Sequence, residues 1–435
     1  MARIAYIDHS FHKKTLSNAF LVDLLRHAGH EVELFWNDVW EGRAGFDFRR
    51  VKGFDIVLVF QVPCEIGLNY FRNLHPNVIF VPMLDNYVLA QGAAANHLYF
   101  CEPWHGSKVI SFSGALHGVF SALGIASFRA RFYPEPLLQF SPQPGQAVAP
   151  VSPAPPDPLV SLEAAPGSAA LTGLRGFAWI RREDQVSWPL IRTLIGETRF
   201  ESLHLHFAAD PDTPPVTRPT PEEAASRNIS LSDWFENKED FWRVLERANV
   251  FFAPRLVEGI GMSFLEAMAR GQCVVAPDRP TMNEYILHGV NGLLYDPLNP
   301  QALDFSAAIG RAASPEQCVP ADQANPASQN IPAGQSSPAD SARQTALGRN
   351  AQLSVQEGRK RWLEQERALL RFIETPSAEI YANLYKHPFI DSGYACAGFR
   401  LSWRQRLKSS WLLRKTESVW RPVWQMVKRI NGRRL

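Results

Sequence analysis

A chain of 435 residues with 46% hydrophobic and 11% aromatic side chains has material for two domains, because single cores rarely outgrow about 250–300 residues. Five scattered cysteines with no CxxC spacing exclude a disulfide framework and a structural zinc site, and suit a reducing compartment. The net charge of +2 hides an asymmetry, since Arg400–Leu435 holds eleven Lys/Arg against the single acid Glu417 and leaves the rest of the chain near −8.

The apolar opening Ile4–Ile7 is cut short by Asp8-His9-Ser10, so no signal-peptide core is expected. No run approaches the ~18 apolar residues that cross a bilayer. A cytoplasmic protein is expected, free or peripheral on the inner face of the membrane.

In chain order, Arg3–Ile7 reads as a buried strand. An amphipathic helix over Thr15–His27 follows, with Leu21, Leu24 and Leu25 on one face and Gly29 as its stop. Further strands are expected at Glu31–Trp36, Asp55–Phe60, Asn77–Pro82 and Lys108–Phe112, then a helix over Ala115–Leu123. Residues 139–172 carry eight prolines and no Lys or Arg, the composition of a linker. Alternation resumes with strands at Gly176–Arg182, Leu203–Phe207, Asn228–Leu231, Val250–Ala253 and Cys273–Ala276, and helices at Lys238–Arg247 and Ser263–Arg270. Residues 312–353 read as a low-complexity insertion, and helix returns from about Ser354 to Ile373.

Strands separated by helices imply parallel βαβ units. The expected fold is therefore α/β, with two Rossmann-like doubly wound sheets facing a cleft. The expected divisions are a first domain over 1–138, the linker 139–172 and a second domain over 173–311. The insertion 312–353, C-terminal helices over 354–390 and a basic tail over 391–435 complete the chain.

The chemistry concentrates between Phe251 and Pro297. A buried strand ends at Pro254, the loop Glu258-Gly259-Ile260-Gly261-Met262 follows, and a helix starts near Ser263. Two glycines allow close approach of backbone to ligand. Amides at a helix N-terminus suit a diphosphate. Glu258 and Glu266 can face one crevice at the carboxyl ends of the strands and accept hydrogen bonds from sugar hydroxyls.

This stretch resembles the retaining glycosyltransferases of family 4, a branch of glycosyl transferases group 1 with the GT-B fold. Glu258, Gly259, Gly261, Glu266, Ala267, Met268, Ala269, Gly271, Val274, Val275 and Ala276 match the family's hallmark string, and Glu284 and the turn Asn291-Gly292-Leu293-Leu294 follow in order. The resemblance implies that Glu258 contacts the donor sugar and acts in catalysis, and that Glu266 holds the ribose. It places the amides of Ile260, Gly261 and Met262 around sugar and phosphate. It also implies no cofactor and no metal, the donor being a nucleotide-diphosphate sugar, and the sequence shows no metal-ligand cluster.

Where relatives carry Arg and Lys after the first strand of the second domain, this chain has Arg181 and Arg182. These either grip phosphate or form a surface pair balanced by Glu183 and Asp184. In the first domain the double-glycine loop of many relatives is replaced by Asp8–Ser17. Thr15 or Ser17 is a candidate helix cap there, and Lys13 and Lys14 are candidate phosphate contacts. Asp85, at the end of a strand where relatives bear a histidine or aspartate, is a candidate catalytic residue with Asn86 beside it, or else an Asx turn.

In the tail, Trp403, Trp411, Trp420 and Trp424 interleave with the basic residues, and Trp420, Val423, Trp424 and Val427 keep helical spacing. Residues 400–435 thus suit an anionic membrane surface, or packing against the body; nucleic acid is not an expected partner. The expected function is transfer of a sugar to a glycan or lipid-linked acceptor, as in polysaccharide biosynthesis at the cell envelope. The alternatives are a non-catalytic sugar-nucleotide-binding scaffold and a GT-B nucleotide-sugar epimerase.

Overall fold

The computed structural model describes residues 1–38, 46–61, 75–90, 104, 106–135, 173–209, 215–235, 238–309 and 345–384. The linker 139–172, residues 312–344 of the insertion and the tail 391–435 lie outside the described residues.

The first domain is a parallel sheet of β1 (Arg3–Asp8), β2 (Glu31–Trp36), β3 (Ile56–Phe60), β4 (Val78–Val81), β5 (Lys108–Ser111) and β6 (Ser127–Arg129). Its order is β2-β1-β3-β4-β5-β6. The second comprises β7 (Arg175–Ile180), β8 (Ser202–Phe207), β9 (Ile229–Ser232), β10 (Val250–Phe252), β11 (Cys273–Pro277) and β12 (Gly292–Tyr295), ordered β12-β11-β10-β7-β8-β9. All ladders in both sheets are parallel, so each sheet must be covered on two faces. Alternation along the strands meets that demand. Ala5, Ile7, Val57, Val59 and Phe80 pack on one face of the first sheet. Ile4, Tyr6, Leu58 and Ile79 lie on the other, in a core continuous with Phe177, Phe251 and Val274 of the second sheet. The two Rossmann-like domains of a GT-B fold are therefore present.

Among the described residues twelve strands appear where the sequence pattern predicts ten. Ser127–Arg129 is only three residues long and half-buried, and Gly292–Tyr295 begins on what read as a turn. The helices Trp188–Ile195 and Pro221–Ser226 fill gaps between strands where helix was expected without stated bounds, and Ser187 and Thr220 cap them through their side chains. The expected helix Thr15–His27 is broken in two. A short turn of helix, His12–Thr15, ends at Leu16 in the left-handed region, and Ala19–His27 starts afresh. Neither Thr15 nor Ser17 caps it. Asn18 holds the cap position, with its amide Nδ2 turned instead to Asp8 Oδ2 at 2.7 Å.

The helix expected from Ser354 begins at Ala346, so 346–353 belong to it and not to the insertion. Glycine and asparagine at 348 and 350 blur the sequence pattern there. Burial of Ala346, Leu347 and Ala351, with Thr345 accepting from the Gly348 amide at 2.9 Å, decides for helix. This helix, Ala346–Glu374, leaves the second domain and ends on the first. Asn350 Nδ2 donates to Val290 O at 2.7 Å near its start, and Gln365 Nε2 to Arg129 O at 2.8 Å further along. At its end the fully buried Lys108 Nζ donates to the carbonyls of Phe372, Ile373 and Thr375 at 2.6–2.7 Å. The amine satisfies orphan carbonyls at a helix C-terminus, while burial lowers its pKa to about 7.

Candidate active site

In the second sheet β7 and β10 are neighbours, and the chain leaves them towards opposite edges; this is the switch point where open α/β sheets bind ligands. The loop after β10 carries the Glu258–Met262 string into the helix Met262–Ala269. Gly261 sits at its N-cap with φ +84°, and no side chain caps the first turn. The leading amides are thus left for an anion. A Cβ on Gly261 would collide with the Phe264 ring, and one on Gly259 would lie 2.7 Å from Met83 Sδ. Gly259 is therefore where the second domain's loop comes hard against the end of β4. Thr281 Oγ1 fixes the loop from behind, donating to Glu258 O at 2.8 Å and Gly259 O at 3.2 Å. Ile260 is buried in the core that joins the domains.

Glu266 lies on the same helix, 3.6 Å from Arg270 Nη1. The Arg270 guanidinium stacks over Trp242 at 4.3 Å, and burial lowers its pKa against the opposing pull of Glu266. Glu266 is thus steadied from one side while its side chain remains one-third exposed. The loop after β7 holds Arg181 and Arg182. Arg181 lies over the Trp179 ring at 4.8 Å, and Arg182 pairs with Asp184 at 3.3 Å, the surface pairing weighed from the sequence. The same loop reaches the first through Gln185 Oε1, which accepts from the Leu256 amide at 3.3 Å. Glu258, Glu266, the 259–262 backbone and both arginines are gathered around one switch point.

Across the cleft, Asp85 stands at the start of the helix Leu84–Ala90. Its carboxylate is 3.1 Å from Arg255 Nη1, a residue of the β10 loop that sequence reasoning passed over. Burial raises the Asp85 pKa, and the Arg255 charge works against that rise. Lys13 Nζ lies over the Trp36 ring at 4.6 Å, and Lys14 is exposed on the same short turn.

Two groups were not foreseen. Glu284 spans the domains: its carboxylate accepts from Ser113 Oγ at 2.9 Å and the Gly114 amide at 2.7 Å, and lies 3.4 Å from Arg129. The sequence signal was present, since Ser113 precedes a helix and Glu284 follows the matched string, but nothing in the spacing pairs them. The second group lies at the β1/β3 switch point of the first sheet. Asp8, His9 and His12 are buried and bring one possible ligand atom each within 4.8 Å of one another, the one such group among the described residues. No metal-ligand cluster was read from the sequence, although Asp-His-x-x-His directly after a strand is the trace it leaves.

Residues 227–311 match the family model described as Glycosyl transferases group 1. Over 64 residues the chain is 41% identical to sucrose synthase of Melioribacter roseus, a match covering 15% of this chain and 8% of that protein. Among solved structures, sucrose-phosphate synthase (tll1590) from Thermosynechococcus elongatus is similar with a TM-score of 0.48 and 13% identity, over 90% of this chain and 100% of that one. Anabaena Alr3699/HepE in complex with UDP and glucose gives 0.46 and 12%, with 90% and 100% covered. The apo lipopolysaccharide outer core galactosyltransferase WaaB gives 0.42 and 14%, with 68% and 86% covered. The second domain, with its matched string set at the β7/β10 switch point, carries the segment that marks glycosyl transferases group 1, the family this chain resembles.

Proposed function

We propose that this chain is a retaining, metal-independent glycosyltransferase of the family 4 type, which moves a sugar from a nucleotide-diphosphate donor to a glycan or lipid-linked acceptor. The observation that carries the reading is the uncapped N-terminus of the helix Met262–Ala269, set beside Glu258 and within one helix of Glu266 at the β7/β10 switch point. Breaking the anomeric bond builds positive character on the sugar and negative charge on the departing diphosphate. The amides of Ile260, Gly261 and Met262 stabilise that anion electrostatically without reorganising. Arg181 and Arg182 add charge once Arg182 turns from Asp184, an exposed pair that costs little to exchange. Glu258 accepts from donor-sugar hydroxyls and Glu266 from the ribose. Asp85, aimed by Arg255, adjoins the reacting centre from the first domain. Lys13 and Lys14 supply positive potential at the mouth.

No helix among the described residues is long and apolar enough to cross a membrane. The basic tail 400–435 would hold the enzyme against the anionic cytoplasmic leaflet, where lipid-linked acceptors lie.

The test is thermal stabilisation by UDP, GDP and ADP, comparing wild type with Glu266→Ala. Ligand that binds only the folded state raises the melting temperature by mass action. A shift with one diphosphate, lost in the variant, supports the reading and names the base. No shift with any of the three in a folded sample rejects it.

A further inference from the structure

We infer that Asp8 and His12 form a hydroxyl-binding dyad, in which His12 Nε2 accepts a hydrogen bond from the hydroxyl that receives the sugar and Asp8 positions the ring. This rests on the transferase reading above and adds residues that the matched string does not contain.

Asp8 ends β1, and its side chain is wholly buried. Three donors converge on it: the His9 amide at 2.8 Å, Asn18 Nδ2 at 2.7 Å, and His12 Nδ1 at 2.8 Å from Oδ2 and 2.9 Å from Oδ1. A carboxylate so engaged accepts only, so Nδ1 carries a proton, and in the neutral imidazole Nε2 is then the acceptor. Nε2 makes no hydrogen bond to the described residues. The same bonds disfavour a cation at Asp8, because one would have to displace donors already seated.

The surroundings select a neutral, hydroxyl-bearing partner. The Phe60 ring meets His12 edge-on at 5.7 Å, and the His9 ring lies 4.0 Å away. Burial lowers the His9 pKa below that of an ordinary imidazole. Apolar rings beside fixed acceptors are the chemistry that recognises a sugar, whose faces are apolar and whose rim is hydroxyl.

Contacts also connect the dyad with the donor loop. Arg255 pairs with Asp85, Asn86 Nδ2 donates to Gln61 O at 3.2 Å, and the Gln61 side chain bonds His9, whose ring lies tilted against that of His12. The row runs from β10 through the ends of β4 and β3 to β1. The dyad therefore stands at the first domain's side of the crevice that the donor loop closes.

The experiment uses the full chain with the nucleotide sugar whose diphosphate gives the thermal shift. It compares wild type, Asp8→Asn, His12→Gln and His12→Ala. Sugar release is followed with water as acceptor and with methyl glucoside and methyl galactoside added. His12→Ala and Asp8→Asn should each lower kcat about tenfold with the donor KM and the thermal shift unchanged, and His12→Gln, which keeps an acceptor near Nε2, should recover part of the loss. Ring nitrogen NMR of wild type should show the proton on Nδ1 of His12. Unchanged turnover in His12→Ala, the opposite tautomer, turnover that requires added zinc, or a wild type that binds nucleotide yet transfers to none of these acceptors overturns the dyad alone. Absence of any nucleotide shift overturns the transferase reading and the dyad with it.

Discussion

Arg255 Nη1 lies 3.1 Å from Asp85 Oδ2, joining the loop after β10 in one domain to the end of β4 in the other. Both side chains are largely out of solvent, at 23% and 14% exposure, so the pair is neither a free surface contact nor fully sealed. Removing one partner of a buried pair leaves an uncompensated charge, which costs roughly 3–5 kcal/mol when burial is complete. Arg255→Met should therefore destabilise the protein by about 1–3 kcal/mol, scaled for this residual exposure. Adding Asp85→Asn should restore part of it. A double-mutant cycle in urea measures the coupling, and additive losses would show that the two residues act separately.

Gly261→Ala should be the most damaging single methyl in the donor loop. Its φ of +84° is the left-handed region, worth about 1–2 kcal/mol against an L side chain, and its Cβ meets the Phe264 ring in addition. The thermal shift given by the cognate diphosphate should vanish. Gly259→Ala should be milder, because the obstacle is the flexible Met83 side chain, and Met83→Ala in the same chain should restore nucleotide binding.

Much of this was legible in the residues. Period and length expose buried parallel strands such as Ile56–Phe60, and Gly261 announces a helix start that only glycine can make there. Loop chemistry was less visible where it depends on partners distant in sequence. Glu284 and Ser113 are separated by 171 residues, and Lys108 and Ile373 by 265, so no local pattern links them. The break at Leu16 escaped for a related reason. Asn18 holds the cap position, but its side chain donates to Asp8, ten residues earlier, and makes no cap bond.

Glu284 offers a graded test of how the domains are held. Its carboxylate sits on the Ser113 hydroxyl and the Gly114 amide at the N-terminus of a nine-residue helix, with Arg129 alongside. An anion there gains roughly 0.3–1 kcal/mol from the helix dipole. Glu284→Gln keeps an oxygen for Gly114 and loses only the charge, so urea unfolding should show a loss of that size. Glu284→Ala should lose more and broaden the small-angle scattering envelope, as the domains part. Equal losses in the two variants would show that charge contributes little.

The pH dependence of stability should be written in His204 and His206, whose pKa values burial lowers to about 4. Both lie on β8 and bond the hydroxyls beside them on β9: His204 Nδ1 with Ser230 and Nε2 with Ser232, at 2.8 and 2.7 Å, and His206 Nδ1 with Ser232 at 2.9 Å. In the unfolded chain each returns to about 6.5. Between pH 6.5 and 4 the unfolded state therefore binds protons that the folded state refuses, and stability must fall as pH drops through that window. Above pH 7 both states are neutral and the effect disappears. After allowance for partial solvation the pair should contribute roughly 1–2 kcal/mol of acid lability. Replacing both with glutamine should flatten melting temperature against pH between 6.5 and 4, while leaving the slope above pH 7 as it was. An acid limb that survives the double substitution would place the lability in other groups, His9 and His117 among them, whose pKa values burial also lowers.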